Sequence, residues 1–425
     1  MSELRDRSNR SPRVASVARH GRLKKSAAWK TVLGLIGGTL AVALVAGGAV
    51  AGIATLQLQG NIKTATIQAD TQGPPPNIAS FSGGFNILLV GSDTRAGQDG
   101  IGKGPGDGGE LNDVTMLMHV AQDQKSATVV SIPRDMVVPF PKCPKGNAAT
   151  GLPINNSLSY GGLACTVLVV QNLTGLTIQF AGLITFTGVA AMSDAVGGVD
   201  VCVAKAISDP YTGTFLSAGT HTLQGLPALE FLRSRHGVGD GSDLGRIGSQ
   251  QVFLSALVRK IKSSDTLTNF GKLYAIAQAA TQHITLSQNF THLDTLVSVA
   301  LVLKNIPLEN IVFVQYPGRT GGTGIYSGKV QPVTSIANQL MAAIQADKPI
   351  GLDANALKDA HGGSTIDPNA PAAGATPTPA PTKKGSTASA TAAPDDLASA
   401  PPATVIPGLK GQSAATYTCT VGQKG

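Results

Sequence analysis

Residues 31–58 contain no charged side chain, and this run divides the chain more sharply than any other feature. From Val32 it reads Val-Leu-Gly-Leu-Ile-Gly-Gly-Thr-Leu-Ala-Val-Ala-Leu-Val-Ala. As a helix the run exceeds the ~20 apolar residues that cross a bilayer. Ahead of it lie Arg5, Arg7, Arg10, Arg13, Arg19, Arg22, Lys24, Lys25 and Lys30, against only Glu3 and Asp6. A basic flank on that side orients a span with its N-terminus in the cytoplasm. Residues from about Gln59 onward are then expected outside. Ala49-Val-Ala51 would pass as a signal-peptide cleavage site, but the apolar run is longer than a signal-peptide core. The expectation is a single-pass cell-membrane protein with an uncleaved anchor and an extracytoplasmic domain.

The same division disposes of the net charge of +8. Beyond residue 30 the chain carries 24 basic and 23 acidic residues, so the folded part is nearly neutral. No basic face for nucleic acid is implied there. Cys143, Cys165, Cys202 and Cys419 are an even number in a compartment that permits disulfides. Three connectivities are open. Cys143 and Cys165 bracket one loop and are the preferred pair, leaving Cys202 to hold Cys419. Their spacing does not match a zinc site.

Composition sets the remaining boundaries. A basic cytoplasmic tail over 1–30 and the transmembrane helix over 31–58 are followed by a linker over 59–83, which carries Gly73-Pro-Pro-Pro76. A folded domain is expected over 84–348. Strands are read at Phe85–Gly91, Val114–Val120, Ala127–Ile132, Gly198–Cys202 and Ile311–Tyr316. Helices are read at Leu163–Thr174, Asp243–Ile261, Thr266–Gln282 and His292–Lys304. In the second of these, Asp243 reads as N-cap and Ile247, Gln251, Leu254, Val258 and Ile261 share one face. This mixture predicts an α/β fold, a three-layer α/β/α domain around a mixed central sheet. Residues 349–425, rich in Ala, Pro and Thr, are expected to stay disordered or to span a wall.

Chemistry concentrates between Ala228 and Val252. Arg233, Arg235 and Arg246, with Gln250, lie beside a helix start. Guanidiniums so close together repel unless an anion sits among them, and the planar fork of arginine grips phosphate oxygens in pairs. A diphosphate is the simplest such anion. Arg233 and Arg235 share a side only if their segment is extended beyond its helix. Arg246 and Gln250, four apart, share a helix face, and Arg246 stands in the first turn, where free N–H groups attract anions. Arg134 in Ser131-Ile-Pro-Arg-Asp135 also follows a strand. Asp93 and Asp113 lie at strand ends, where α/β folds build their sites. With a diphosphate they would supply oxygens for Mg²⁺ or Mn²⁺. Alternative readings are turn aspartates and solvated arginines. Gly97–Lys103 mimics a phosphate-binding loop but lacks the following Ser or Thr.

Six segments together resemble the LytR-CpsA-Psr family of membrane-anchored envelope enzymes. They are Asn86-Ile-Leu-Leu-Val-Gly-Ser-Asp-Thr-Arg95, Asn112-Asp-Val-Thr-Met116, Ser131-Ile-Pro-Arg-Asp135, Ile154-Asn155 with Tyr160-Gly-Gly162, Gly197-Gly-Val-Asp-Val201, and Leu229–Gln251. The resemblance implies a phosphotransferase that moves a glycopolymer from a polyprenyl diphosphate carrier onto peptidoglycan. It implies Asp93 and Asp113 near the metal, and Arg134, Arg233, Arg235, Arg246 and Gln250 on the diphosphate, with Arg95 assisting. Asp93, Asp113 and Arg134 are the catalytic candidates, and an apolar pocket is expected for the prenyl tail. The expected partners are the lipid-linked glycan, peptidoglycan and the bilayer, with no nucleic acid. Leu111, Pro153 and Ser249 stand where the family usually has basic residues. A diphosphate hydrolase, a non-catalytic lipid or glycan scaffold and a transcriptional attenuator are the competing functions.

Overall fold

The computed structural model describes residues 52, 56–71, 83–94, 110–357, 363–370 and 403–423. Of two compact units, Met1–Gln57 and Leu58–Gly425, the second carries the fold. No helix among the described residues is long and apolar enough to cross a membrane. The basic tail, nearly all of the apolar run 31–58, Arg95 and the Gly97–Gly109 loop lie outside the described residues, or nearly so, with Gly109 the last of them before Glu110.

In chain order the main strands are β1 (Lys63–Ala65), β2 (Phe85–Ser92), β3 (Asn112–Val120), β4 (Ala127–Ile132), β5 (Phe180–Ile184), β6 (Val199–Lys205), β7 (Gly219–Leu223), β8 (Ile284–Ser287), β9 (Ile311–Gln315), β10 (Ser364–Ile366), β11 (Gly411–Ser413) and β12 (Thr418–Val421). The longer helices are α1 (Gly162–Thr174), α2 (Phe186–Ala195), α3 (Leu226–Arg233), α4 (Asp243–Lys262), α5 (Phe270–His283), α6 (Leu293–Asn305) and α7 (Thr334–Gln345).

Eight strands form the central sheet in the order β1-β8-β5-β2-β3-β4-β9-β11. The pairing is mixed: β2 runs parallel to β5 and antiparallel to β3, and β4 runs parallel to β9. Alternation along the strands sends side chains to two cores. Leu88, Val90, Leu117, Val130 and Val312 meet Val167 and Val170 of α1 and Leu340 and Ile344 of α7 on one face. Ile87, Met116, Val129 and Phe313 meet Val299 of α6 and, on α4, Leu254 and Val258 on the other. The result is the expected α/β/α layering.

A second sheet, β7-β6-β12-β10, holds the site's two helices. Val199, Val201, Val203 and Leu223 pack on Ala228 and Phe231 of α3 and on Val252, Phe253 and Ala256 of α4. For this reason α4 is not the one-sided amphipathic helix that its sequence suggests. It is buried without a break from Asp243 to Phe253. On its remaining side the small residues Gly245, Gly248 and Ser249 admit the backbone at Gly363, where a Cβ would run into the carbonyl of Gly245.

Two boundary expectations need correction. The linker over 59–83 contributes β1 to the sheet edge, and Asp70 accepts hydrogen bonds from the backbone N–H groups of Gln288 (3.1 Å) and Asn289 (2.9 Å). The C-terminal tail is folded over 403–423. There β11 pairs with β9, and β12 lies between β6 and β10. These strands are short and polar, and what secures them is partnership with an existing edge. Arg259 of α4 donates to the carbonyls of Ala414 (2.7 Å) and Thr416 (3.1 Å), and its guanidinium lies 4.3 Å above the Tyr417 ring. Disulfides join Cys143 to Cys165 and Cys202 to Cys419, with Cα separations of 5.2 and 4.4 Å. Cys202 and Cys419 are also register partners in the second sheet. Residues 371–402 lie outside the described residues.

Candidate active site

The carboxyl ends of β2 and β4 and the start of β3 meet at one end of the central sheet, because Ser92 pairs with Asn112 and Ile132 with Thr115. This places Asp113 and Arg134 side by side, and Arg134 donates through Nη1 to Asp113 Oδ1. The end of β9 is tied to the start of α4 by Gln315 Nε2, which donates to the carbonyl of Leu244 (3.0 Å). Arg246, one turn into α4, is thereby carried over the same sheet end. Its Nη2 donates to the backbone carbonyl of Asp113 (3.0 Å) and lies 2.6 Å from Asp243 Oδ1.

Asp243 is therefore not the N-cap. Ser242 fills that role, accepting from the Gly245 N–H (3.2 Å). Asp243 occupies the first helical position, 2% exposed, where both the buried N-terminus of the helix and Arg246 favour a negative charge. Neither of its buried carboxylate oxygens has a hydrogen bond of good geometry. The 2.6 Å contact with Arg246 is an ion pair without alignment.

Helix α3 ends at Arg233, and Ser234 turns out of the helix with ψ 126°. That extended step puts Arg233 and Arg235 on one cavity together. The fold achieves this through Asp209, a residue with no local signal in the sequence. Fully buried, its Oδ2 accepts from Ser234 Oγ (2.9 Å) and from the N–H groups of Arg235 (2.9 Å) and Gly237 (3.1 Å). Its Oδ1 accepts from the N–H of Tyr211 (3.2 Å). Burial opposes ionisation of Asp209, but the four donors outweigh it and hold the carboxyl below its ordinary range.

Asp113, Arg134, Asp209, Tyr211, Thr212, Arg233, Arg235, His236 and Arg246 line a cavity of about 190 Å³. Four of the candidate arginines thus converge with Asp113. Two other candidates stand off. Asp93 does not line the cavity; its Oδ1 accepts from the Leu111 N–H (2.7 Å) and so braces the approach to β3. Gln250 is buried and donates through Nε2 to the Leu232 carbonyl (3.0 Å), fixing the end of α3 to α4.

The repulsion argument for an anion is corrected by the carboxylates that the fold supplies. Arg134 pairs with Asp113, Arg246 with Asp243, and Arg235 with Asp135 (3.4 Å), which Lys329 also approaches (3.6 Å). Arg233 lies 4.5 Å over the Phe186 ring. Burial alone would lower the pKa of Arg134, but Asp113, Asp135 and Asp243 more than compensate, and it is raised. The guanidiniums are held in place before any ligand arrives, so their convergence and not their mutual repulsion marks the site.

The replaced cations also find a structural account. Ser249 is fully buried and points at the Gly363 carbonyl (3.4 Å), so no long basic side chain fits. Pro153 closes a short strand against Val137. The half-buried Leu111 gives its N–H to Asp93. Among the described residues the one cluster of three metal-ligating types is Cys202, Asp367 and Cys419, whose sulfurs are bonded to each other.

Residues 53–343 match the model of the LytR_cpsA_psr family. The cell wall biosynthesis protein LcpA of Corynebacterium glutamicum is 33% identical over 62% of the chain, and the match spans 55% of that protein. The chain thus spans little more than half the length of that relative. The polyisoprenyl-teichoic acid–peptidoglycan teichoic acid transferase TagT of Bacillus subtilis is 29% identical over 59% of the chain and 76% of that protein. Among solved structures, a LytR-Csp2A-Psr enzyme from Actinomyces oris superposes with a TM-score of 0.51 at 23% identity, covering 67% of this chain and 96% of that one. That likeness supports the fold.

Proposed function

The chain belongs to the LytR_cpsA_psr family, and from that premise we propose that it joins a glycopolymer to peptidoglycan. The donor is a polyprenyl diphosphate-linked glycan and the new link a phosphodiester. The observation that carries the reading is the convergence of Arg134, Arg233, Arg235 and Arg246 on one cavity with Asp113. Four guanidinium forks lining one cavity suit the oxygens of a diphosphate.

The face of β2 and β3 beside that cavity supports a prenyl chain. Along it Phe85 and Ile87 are buried, but Leu89 is 40% exposed although its strand lies inside the sheet. Leu89 stands beside Met116, and Val114, next to Asp113, is half-buried. An interior strand that opens toward the charged end leaves apolar surface for a lipid. The uncharged run 31–58 supports the matching location, a membrane anchor with the domain outside.

In the reaction an acceptor hydroxyl attacks the glycan-bearing phosphorus. The bond from that phosphorus to the bridging oxygen breaks, prenyl phosphate leaves, and the hydroxyl proton passes to the cavity carboxylate, Asp113. Charge grows on the phosphate oxygens, where fixed guanidiniums lower its energy without reorganising. The donor set also fits a divalent cation. The oxygens of Asp209 are committed to four donors, which leaves Asp113 as the cavity carboxylate available to a hard ion that takes its other ligands from phosphate. Mg²⁺ or Mn²⁺ held there would further polarise the phosphate.

The test is to supply the full chain in detergent with a prenyl diphosphate-linked oligosaccharide, Mg²⁺ and peptidoglycan oligomers. A glycan–phosphate–peptidoglycan product that disappears in Arg134→Ala and Asp113→Ala supports the ligase. Release of prenyl phosphate with no joined product would make it a hydrolase. Donor binding without turnover would make it a scaffold.

A further inference from the structure

The geometry points to a stacking platform for a pyranose ring at the rim of the arginine cavity, built on Tyr211 with His236 beneath it. The inference rests on the diphosphate–glycan reading above and adds where the first sugar of the donor lies. The cavity of about 190 Å³ is open to solvent, so groups esterified to a bound diphosphate can leave across its rim. The rim has two unlike sides. Asp113 continues into Val114 and the opening apolar face near Leu89. Tyr211, Thr212 and His236, which also line the cavity, come from a different part of the fold, the Ile207–Leu216 hairpin and the segment after Arg235. With the prenyl end on the apolar side, the exposed aromatic ring of Tyr211 is the lining group suited to the sugar.

Tyr211 is 80% exposed, so its ring contributes little to the core. Its backbone is nonetheless fixed. It sits in a four-residue turn between the paired strands Ile207–Asp209 and Thr214–Leu216. Asp209 Oδ1 accepts its N–H (3.2 Å), the Asp209 carbonyl accepts the Gly213 N–H (3.0 Å), and Gly213 takes a φ of +81° that favours glycine. The ring leans on His236 with centroids 4.9 Å apart and planes at 52°, which leaves its outer face open. An aromatic ring already oriented loses little freedom on binding. The C–H face of a pyranose presents electropositive hydrogens to the negative face of the ring. Asp209 thus aligns the phosphate-binding arginines and the sugar platform through one carboxylate.

Two probes separate this inference from the reading beneath it: a fifteen-carbon prenyl diphosphate, and the same carrier bearing N-acetylglucosamine on its diphosphate. Binding of each to the full chain in detergent is measured for the wild type, Tyr211→Ala and Tyr211→Phe. The expected result is a loss of about tenfold for the sugar-bearing probe in Tyr211→Ala, corresponding to the usual worth of an aromatic contact. Affinity for the bare diphosphate is unchanged, and Tyr211→Phe binds both probes like the wild type. An equal fall for both probes, or no change for either, overturns the platform while leaving the diphosphate site standing. Unchanged donor affinity with a raised KM for the peptidoglycan acceptor assigns the ring to the acceptor sugar and overturns the donor assignment. Failure of the wild type to bind either probe removes both readings.

Discussion

Arg246 holds Asp113 by its backbone, not its carboxylate: Nη2 donates to the Asp113 carbonyl at 3.0 Å while lying 2.6 Å from Asp243 Oδ1. The carboxylate of Asp113 is thereby left to Arg134 and to ligands. One guanidinium, 4% exposed, joins the first turn of α4 to the start of β3 and balances a buried acid. Arg246→Ala is expected to cost about 3–5 kcal/mol of stability, because it strands the Asp243 charge. Arg246→Met combined with Asp243→Leu should recover most of that loss and none of the activity. Denaturant unfolding beside the ligase assay checks both, and a fully stable Arg246→Ala would refute the pairing.

Asp209 should control the site from behind. Asp209→Asn keeps the shape but replaces an anion that accepts four hydrogen bonds with an amide that must turn a donor toward some of them. A loss of about 2–4 kcal/mol is expected, since hydrogen bonds to charged groups are worth about 1.5–3 kcal/mol each and are partly retained. Activity should fall further than stability requires, because Arg233 and Arg235 lose their alignment. Rates measured well below the melting temperature separate the two effects.

The same carboxylate predicts a pH dependence. Its folded pKa lies below the ordinary value, so its stabilisation is complete above the unfolded pKa of about 4. It is lost as pH falls through the lower folded value. The wild type should therefore lose stability on acidification below about pH 4, and Asp209→Asn should lose less over that window. Parallel acid limbs in the two proteins would contradict the assignment.

Much of this was legible along the chain. The largely apolar segments at Phe85, Val114, Ala127 and Ile311 are central-sheet strands, because short β-branched and apolar stretches bounded by polar turns favour a buried sheet. Arg134, Arg233, Arg235 and Arg246 could be grouped because they lie just past strands or at helix ends. The strands at Gly411–Ser413 and Thr418–Val421 could not be read, since Gly-Gln-Ser has no strand preference until β9 offers an edge. Asp209 was invisible for a related reason: three of its four donors, the Ser234 hydroxyl and the N–H groups of Arg235 and Gly237, lie 25 to 28 residues away. One signal did exist. Pairing Cys202 with Cys419 already required the C-terminal segment to return to the domain, which conflicts with a wholly disordered tail.

Restoring the cation usual in the family should fail at one position and succeed at another. Ser249→Arg places a charge on a fully buried site against Gly363. It is expected to destabilise by about 3 kcal/mol or more and to dislodge residues 363–366. Leu111→Arg, at a half-buried position, should fold. Limited proteolysis with mass spectrometry reads the difference.

The two disulfides should differ in weight. They close loops with sequence separations of 22 and 217. The chain-entropy relation gives about 3 kcal/mol for the first and about 5 kcal/mol for the second, both as ceilings. Cys143→Ser with Cys165→Ser should lower the melting temperature less than Cys202→Ser with Cys419→Ser, and calorimetry checks the order.

Because Cys419 is bonded to Cys202, residues 202–419 form a covalent ring, and it contains Arg233, Arg235 and Arg246. The Ala/Pro/Thr-rich stretch 371–402 lies within that ring, between the described segments 363–370 and 403–423. A protease that cuts it once leaves a single molecule on a non-reducing gel and two fragments after reduction. A single cut in this stretch therefore leaves the strands of the second sheet covalently tied to Cys202.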